Sequence, residues 1–189
     1  LSTRLIGGLQ GGALDHDDSV AATAKHFVGD GGTAWGSSAY DGYSIDRGVT
    51  PVDDATLRWV HLVPYQAAIA AGARVVMASF SSTTAGKVHG DRHLLTEVLK
   101  GELRFSGFVV SDWEGVDEVV PGDYDAAVAQ AVTAGIDMVM VPYDAARFHA
   151  ALQVGIDDGT IATERLDDAA VDARGADVDV ARGSGRWNV

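Results

Sequence analysis

The chain has 189 residues, a length at which a single domain buries roughly 70% of the surface that its unfolded form exposes. Its 14 basic and 27 acidic residues give a formal net charge of -13, which repels nucleic-acid phosphates and anionic lipid headgroups, so neither nucleic acid nor a membrane is expected as a partner. The 47% hydrophobic and 22% charged residues are typical of a packed globular protein, and the absence of cysteine excludes disulfides and thiolate metal sites.

Four short apolar runs predict buried strands, which cover residues 20–27, 75–80, 108–112 and 136–141. The runs are continuous and not alternating, a pattern typical of parallel strands that are covered on both faces. Apolar residues at helical spacing predict four helices, over residues 53–71, 91–103, 123–134 and 144–156, and Pro64 is expected to break or kink the first of them. The predicted order is therefore a strand followed by a helix, four times over.

The spacing of the strand ends favours half of a (β/α)8 barrel. Phe80, Asp112 and Val141 end the last three predicted strands and are separated by 32 and 29 residues. Each βα unit of such a barrel takes about 31 residues, so we predict an α/β fold of about four units, with a doubly wound open sheet as the alternative. Phe27 and Phe80 are 53 residues apart, which leaves about 20 residues more than one unit needs. The excess lies in the loop over residues 28–50, which falls on the face where barrels build active sites.

The pattern is lost near the C-terminus. Glycines interrupt arginines and aspartates over residues 172–189, with neither the strand nor the helix period. We therefore expect a barrel domain over residues 1–171 and an irregular or disordered tail over residues 172–189.

Lys25 and His26 stand at the end of the first predicted strand, before a glycine-rich turn. They would aim several hydrogen-bond donors into one small volume, and the glycines would let the backbone approach a ligand closely. The alternative is structural, with the lysine paired to a carboxylate and the histidine bonded to a backbone carbonyl. The pattern alone does not separate these interpretations.

Asp112 and Trp113 directly follow the third predicted strand. A carboxylate held there could attack an electrophilic carbon, and the indole could stack on the apolar face of a sugar ring. In the alternative interpretation Asp112 caps the next helix. The acidic residues at positions 114, 117 and 118 are interpreted as a solvated helix start.

No metal site and no cofactor are expected. His89 and His93 are four residues apart, but Asp91 between them is typical of a helix cap and the HExxH pattern is absent. Ser79 lacks the GxSxG context of a nucleophile elbow, and the GDGG string of the first loop is not followed by the GK[ST] of a phosphate-binding loop.

Several of these strings resemble glycoside hydrolase family 3, of the β-glucosidase and exo-glucan glucohydrolase type. The similar strings are AATAKHFVGDGGT at 21–33, KVHGD at 87–91, GFVVSDWEGVDEV at 107–119 and AGIDMVMVP at 134–142. They occur in the order found in that family, and the resemblance covers roughly residues 8–168. The joint presence of KHF and SDW at this separation carries the identification.

The resemblance implies a role for each matched position. Asp112 corresponds to the catalytic nucleophile, Lys25 and His26 to ligands of the glucosyl hydroxyls in the first subsite, and Trp113 to an aromatic wall beside it. The implied reaction is hydrolysis of terminal non-reducing β-D-glucosyl residues, with retained configuration through a covalent glycosyl-aspartate. The expected substrate is a β-glucoside or a β-glucan oligosaccharide, and the sequence assigns no cellular compartment.

The second carboxyl group of a retaining enzyme is expected to come from elsewhere. The resemblance to the glucosidase type implies that a glutamate of a following α/β domain supplies it. The resemblance therefore implies that this chain is a fragment, the C-terminal half of the barrel domain, and that the fragment alone has little or no turnover. The N-acetylglucosaminidase branch uses a histidine in a pattern like KHFPGHGDT, and this sequence has Val28 and Asp30 where that branch has proline and histidine. Asp30 itself is a weak candidate acid, because its glycine neighbours indicate a turn.

Two other functions are compatible with the same residues. A trimmed chain could bind sugar through Lys25, His26 and Trp113 without catalysis. An unrelated barrel aldolase could use Lys25 as a Schiff base, but the neighbouring His26 does not provide the apolar enclosure that lowers the pKa of an amine.

Overall fold

The computed structural model of the protein describes residues 2–11, 14 and 19–178. Its strands are β1 (Thr23–Phe27), β2 (Val75–Ala78), β3 (Ser82–Thr83), β4 (Gly86–Lys87) and β5 (Phe108–Val110). Its α-helices are α1 (Ser2–Gln10), α2 (Asp54–Thr56), α3 (Val63–Ala70), α4 (Tyr124–Ala134), α5 (Ala145–Asp157) and α6 (Thr163–Val178). Two π-helical segments cover Leu57–Leu62 and His93–Glu102. Short 3-10 turns cover Asp30–Gly32, Val88–Gly90 and Gly115–Glu118.

The main sheet has three parallel strands in the order β1, β2, β5. Thr23 lies opposite Val75, which in turn lies opposite Phe108, so the three strands begin level with one another. The register of β1 against β2 shifts between Ala24 and Phe27, where Phe27 pairs with Ala78, and the carboxyl ends of all three strands meet at one edge. The α/β class is therefore confirmed, and the half barrel stays a prediction. Two peptide bonds in this strand region, Lys25–His26 and Phe27–Val28, are cis.

The fourth predicted strand is present only as a single parallel bridge between Met138 and Val110 of β5. The prediction of four full parallel strands is therefore wrong for the described residues. Met138 donates to the carbonyl of Val109 and accepts from the amide of Ser111, as a parallel strand would. On either side of this bridge, side-chain oxygens accept the backbone amides that a full parallel strand would pair with carbonyls. The Asp137 carboxylate accepts the Val109 amide at 2.8 Å, and the Ser111 hydroxyl accepts the Met140 amide at 2.8 Å.

Coverage of both faces is confirmed for β2 and β5, whose side chains are mostly buried, and is wrong for β1. In β1 the side chains of Thr23 and Lys25 are exposed and those of Ala24 and His26 are half-buried, while Phe27 is buried. The reason is position: among the described residues β1 pairs with β2 on one side and with no strand on the other. This exposure gives the polar end of β1 access to solvent.

Aspartate side chains start the predicted helices. Asp53, Asp91, Asp123 and Asp144 each accept a hydrogen bond from a backbone amide three residues further along the chain, at 2.7 to 3.0 Å. Such caps satisfy amides that have no partner within the helix. Pro64, where an interruption of the first helix is expected, lies at the start of α3 directly after a π-helical segment.

One apolar cluster joins the sheet to its helices. Phe27 of β1 is fully buried and contacts the ring of Tyr65 in α3 edge to face, with ring centroids 5.0 Å apart. Val76 and Val109 continue the cluster across the sheet. The helices contribute Leu95, Val98, Leu99, Ala127, Val128, Ala131 and Ala151. Because this core lies below the carboxyl ends of the strands, it supports the polar edge described next.

Helix α6 extends into the segment for which the sequence predicts irregular structure. It continues to Val178, so the expectation is wrong for residues 172–178, and residues 179–189 lie outside the described residues. The helix is attached to the sheet by Asp137, whose fully buried carboxylate lies 2.8 Å from Lys100 Nζ and 2.5 Å from a guanidinium nitrogen of Arg165. Lys100 also contacts Asp172 at 2.9 Å. The domain boundary at residue 171 stays a prediction.

None of the helices that the structure describes combines the length and the apolar character needed to cross a bilayer.

Candidate active site

The carboxyl ends of β1, β2 and β5 bring three polar residues together. His26 is in β1, Ser79 follows β2 and Asp112 follows β5. Nε2 of His26 lies 3.2 Å from Oδ2 of Asp112. The parallel register therefore unites two of the residues that the sequence analysis identified separately.

Asp30 lies on the opposite side of the His26 ring. Its Oδ2 accepts from Nδ1 of His26 at 2.9 Å, and its Oδ1 accepts from the hydroxyl of Ser79. The hydrogen bond to Asp30 raises the pKa of His26 against the effect of burial, and the negative charge of Asp112 adds to the increase. For Asp30, burial alone would raise the pKa, but the hydrogen bonds from His26 and Ser79 outweigh it and the pKa is lowered.

Asp112 is held through both its carboxylate and its backbone. Its Oδ1 accepts from the backbone amide of Trp113 at 2.7 Å, which leaves Oδ2 beside His26. Its own amide donates to Nε2 of His89 at 2.9 Å, and its carbonyl accepts from the hydroxyl of Ser111 at 2.9 Å. The side chain is 16% exposed. A carboxylate with a fixed geometry and a solvent-facing edge can act as a nucleophile or as an electrostatic partner.

A cavity of about 340 Å³ opens next to Asp112. Its lining comprises His26, Asp30, Thr33, Ile45, Asp46, Arg47, Ser79, Phe80, Ser81 and Asp112. Polar groups that converge on a partly apolar cavity are typical of small-molecule sites. This cavity lies at the polar edge of the sheet, where the first loop covers the strands.

Lys25 lines a different cavity, of about 510 Å³, which lies along the free edge of β1. His26 and Asp30 line both cavities and so connect them. Among the described residues Lys25 makes no ion pair within 4 Å, with Asp112 or with any other carboxylate. The structure thus places Lys25 beside His26 and apart from the immediate contacts of Asp112.

Trp113 extends the site outward. Its side chain is 46% exposed, and its ring meets that of Tyr143 edge to face, with centroids 5.9 Å apart. Tyr143 is 78% exposed. The pair forms an aromatic corner next to the backbone of Asp112, and such rings pack well against the apolar faces of sugars.

The interpretation of Glu118 as part of a solvated helix start is wrong. Its side chain is 10% exposed, is hydrogen-bonded to the guanidinium of Arg47, and has Oε2 at 2.7 Å from Nζ of Lys87. The guanidinium of Arg47 lies over the ring of Phe80, 4.1 Å from its centroid. The buried carboxylate therefore attaches the first loop to the β3–β4 hairpin beside the cavity.

The two histidines weighed as metal ligands lie in different environments. His93 is exposed and contacts Glu97 at 2.9 Å, whereas His89 is fully buried beneath Asp112. A group of carboxylates at Asp137, Asp168 and Asp172 is close enough to hold a cation. Lys100 and Arg165 already supply positive charge to it, so it fits an ion-pair network.

Sequence reasoning missed His89, Glu118 and Tyr143 as neighbours of the site, and it treated Asp30 and Ser79 as minor. Ser79 and Asp30 follow strand ends, so the rule that located His26 and Asp112 could have found them. His89, Glu118 and Tyr143 carry no such local signal, because their positions depend on how the loops pack.

Comparison with known proteins gives a consistent result. The glycosyl hydrolase family 3 N terminal domain matches residues 1–173. The chain is 34% identical over 173 residues to a lysosomal beta glucosidase of Dictyostelium discoideum, covering 86% of this chain and 20% of that protein. It is also 34% identical over 174 residues to beta-glucosidase A of Aspergillus kawachii, covering 82% of this chain and 18% of that protein. The chain thus spans about a fifth of the length of these relatives.

Solved structures agree with the sequence comparison. The exo-1,3/1,4-beta-glucanase of a Pseudoalteromonas species superposes with a TM-score of 0.82 at 38% identity, covering 99% of this chain and 22% of that one. The beta-glucosidase of Listeria innocua in complex with isofagomine superposes with a TM-score of 0.82 at 26% identity, covering 94% of this chain and 24% of that one. On the match over residues 1–173, the chain belongs to the glycosyl hydrolase family 3 N-terminal domain family.

Proposed function

We propose that this chain carries the nucleophile side of a retaining β-glucosidase-type active site, with Asp112 as the nucleophile. The observation that supports the proposal is the contact of 3.2 Å between Oδ2 of Asp112 and Nε2 of His26 on the cavity at the carboxyl ends of the strands. The names of the relatives support the substrate class, a terminal non-reducing β-D-glucosyl residue of a β-glucoside or β-glucan.

In the first step a carboxylate oxygen of Asp112 forms a bond to the anomeric carbon while the bond to the leaving oxygen breaks. An acid gives that oxygen a proton, so the alcohol leaves neutral. Water then attacks the anomeric carbon, the bond to Asp112 breaks, and the conjugate base of the acid takes the water proton. The two inversions together retain the configuration.

The acid is proposed to come from another part of the intact protein, as in the family resemblance. Asp30 is a poor proton donor, because two hydrogen bonds stabilise its anion and its pKa is lowered. His26 is also unsuited, because its Nε2 faces the nucleophile and not a leaving group beyond it. We therefore assign His26 to holding a glucosyl hydroxyl beside Asp112.

Lys25 and Trp113 complete the proposed sugar contacts. Lys25 is exposed next to His26, so its ammonium can reach a hydroxyl at the junction of the two cavities. Its exposure also gives no support to the aldolase alternative, which requires a desolvated amine. Trp113 is proposed to flank the bound sugar with its exposed indole.

A mechanism-based label tests the nucleophile. The intact protein is incubated with a 2-deoxy-2-fluoro-β-glucoside carrying a good leaving group, and the labelled peptide is identified by mass spectrometry. We expect the label on Asp112, and we expect Asp112→Ala to lower hydrolysis of an aryl β-glucoside on the order of 1,000-fold or more, with partial rescue by azide.

Asp117→Ala, an exposed aspartate of the same turn, is the matched control and should hydrolyse normally. Labelling of another carboxylate, or full activity of the Asp112 variant, would contradict the assignment. Glucose binding in calorimetry without any labelling would favour the sugar-binding alternative.

A further inference from the structure

We propose that His89 is a positioning residue for the nucleophile, because its Nε2 accepts the backbone N–H of Asp112 and so fixes the Asp112 carboxylate beside His26. The inference rests on the proposed function, since it assumes that Asp112 reacts. No part of the proposed reaction uses His89 directly, and its ring does not line either cavity.

The geometry of His89 defines one tautomer. The residue is 0% exposed, and the distance from the Asp112 amide nitrogen to its Nε2 is 2.9 Å. An acceptor nitrogen carries no proton, so the proton of the neutral ring is on Nδ1. Nδ1 is buried and faces the backbone of Ser79 without a hydrogen bond of good geometry. The ring therefore makes its one strong hydrogen bond to the nucleophile residue.

Gly115 allows this close approach from the other side. A methyl group at this position would lie 2.6 Å from Cε1 of His89, which is a steric overlap. The amide of Gly115 donates to the carbonyl of Asp112 at 3.0 Å, so the turn that carries the nucleophile folds directly onto the ring. The hydrogen bond from the Asp112 amide and the absence of a Cβ at Gly115 therefore both fit the close packing of this turn against the His89 ring.

The surroundings keep His89 uncharged. Burial lowers its pKa to about 4, although the nearby charges of Asp112 and Glu118 act in the opposite direction. Lys87 is the cation that faces the ring, and it disfavours protonation. A protonated ring would point an N–H at the N–H of Asp112 and break the contact. The acceptor is therefore retained throughout the neutral range.

Loss of the acceptor would change the position of the reacting group. The amide of Asp112 would be left without a partner in a water-poor environment, so the backbone would turn to find another acceptor. The carboxylate is only a few bonds away and is itself hydrogen-bonded to the next amide, that of Trp113. Because displacement of a reacting atom by about 1 Å costs roughly 100-fold in rate, even a small turn matters.

Two variants of the intact protein separate positioning from packing. His89→Gln keeps an acceptor oxygen near the place of Nε2, whereas His89→Leu keeps a similar volume and removes the acceptor. We expect His89→Leu to lower the rate constant of labelling by the fluoroglucoside about 10- to 100-fold per folded molecule, with glucose affinity within about threefold. His89→Gln should recover most of the labelling rate.

His93→Leu, an exposed histidine four residues away, is the matched control and should label at the normal rate. Normal labelling of His89→Leu, or equal losses in the Leu and Gln variants, would overturn the inference, because packing alone would then account for the residue.

A measurement on the unchanged protein covers the case in which the variants do not fold. Nitrogen-15 NMR of the histidine rings reports which nitrogen carries the proton. We expect His89 to show a bare Nε2 and a protonated Nδ1 between pH 5.5 and 8, without titration. The opposite tautomer would overturn the inference. A protein that shows the expected tautomer but is never labelled at Asp112 would contradict the proposed function and leave the hydrogen bond of His89 established.

Discussion

His26 lies between the carboxylates of Asp30 and Asp112, so its charge depends on both. Asp30 is a hydrogen-bond acceptor fixed by Ser79, and it orients the imidazole so that Nε2 faces the nucleophile. The sequence marked His26 and Asp112 because each is a polar residue at a strand end. The role of Asp30 as the partner of His26 follows only from the way the loop turns back over the strand.

Asp30→Asn replaces the charged acceptor that favours the imidazolium with a neutral amide. We expect the pKa of His26 to decrease, measured by NMR titration of the ring protons. Because the pKa of His26 is raised in the folded state, its stabilising contribution is present below its unfolded pKa and is lost as the pH rises through its folded pKa. The loss of unfolding free energy between pH 5.5 and 8.5 should therefore be smaller in the variant. Asp41→Asn, an exposed aspartate of the same loop, should leave the His26 titration unchanged.

The loop over residues 28–50 is attached to the β3–β4 hairpin and to the turn after β5 by contacts near its C-terminal end. Its C-terminal end pairs with β3, where the amide of Thr50 donates to the carbonyl of Ser82 at 2.7 Å. Near its C-terminal end, Arg47 is held by Glu118 and by the ring of Phe80. The sequence predicted that this loop covers the active face, but its composition did not indicate what attaches it. The attachment uses residues about 40 and 70 positions away, which no local pattern reports.

Glu118→Gln tests this attachment. The variant leaves the cations of Arg47 and Lys87 without their shared carboxylate in a mostly buried position. We expect the free energy of unfolding to fall by about 3 kcal/mol, measured by urea denaturation, because removing one partner of a buried pair leaves uncompensated charge. Limited proteolysis within residues 34–47 should become faster. Glu114→Gln, at an exposed position of the same turn, should change stability by less than about 0.5 kcal/mol, and equal effects of the two variants would contradict the attachment.

Most of the described molecule shares one main hydrophobic cluster, and Ile6, Ala22, Ala68 and Ala73 form a second, smaller one. The main cluster contains residues from β1 through Ile161, so the sheet, the π-helical segment after β4 and helices α3 to α5 are stabilised together. The α/β pattern of the sequence predicted this arrangement in outline, because continuous apolar strands and amphipathic helices need each other to bury their apolar groups. It did not predict that the chain segment beside β5 forms only one ladder bridge, because side chains of Asp137 and Ser111 replace backbone partners there.

Leu99→Ala tests the shared core. Leu99 is 0% exposed, so the substitution leaves a cavity and should lower the free energy of unfolding by about 2 to 5 kcal/mol. Urea unfolding followed by circular dichroism and by tryptophan fluorescence should give one coincident transition in both the original chain and the variant. Val171→Ala, at a side chain that is 66% exposed, should change stability by less than about 0.5 kcal/mol. Separate transitions from the two probes would contradict a single cooperative core.

The sequence by itself determined where the three strands of the main sheet lie, where four of the helical segments lie, and which polar residues stand at the ends of those strands. Those features depend on local periodicity and on the chemistry of neighbouring residues, so they can be read along the chain. Only the tertiary structure decided that His26 contacts Asp112, that Asp30 and His89 support them, and that Glu118 is buried. These contacts join residues far apart in the chain, and their energies exist only after packing has excluded water and fixed the distances between the charged groups.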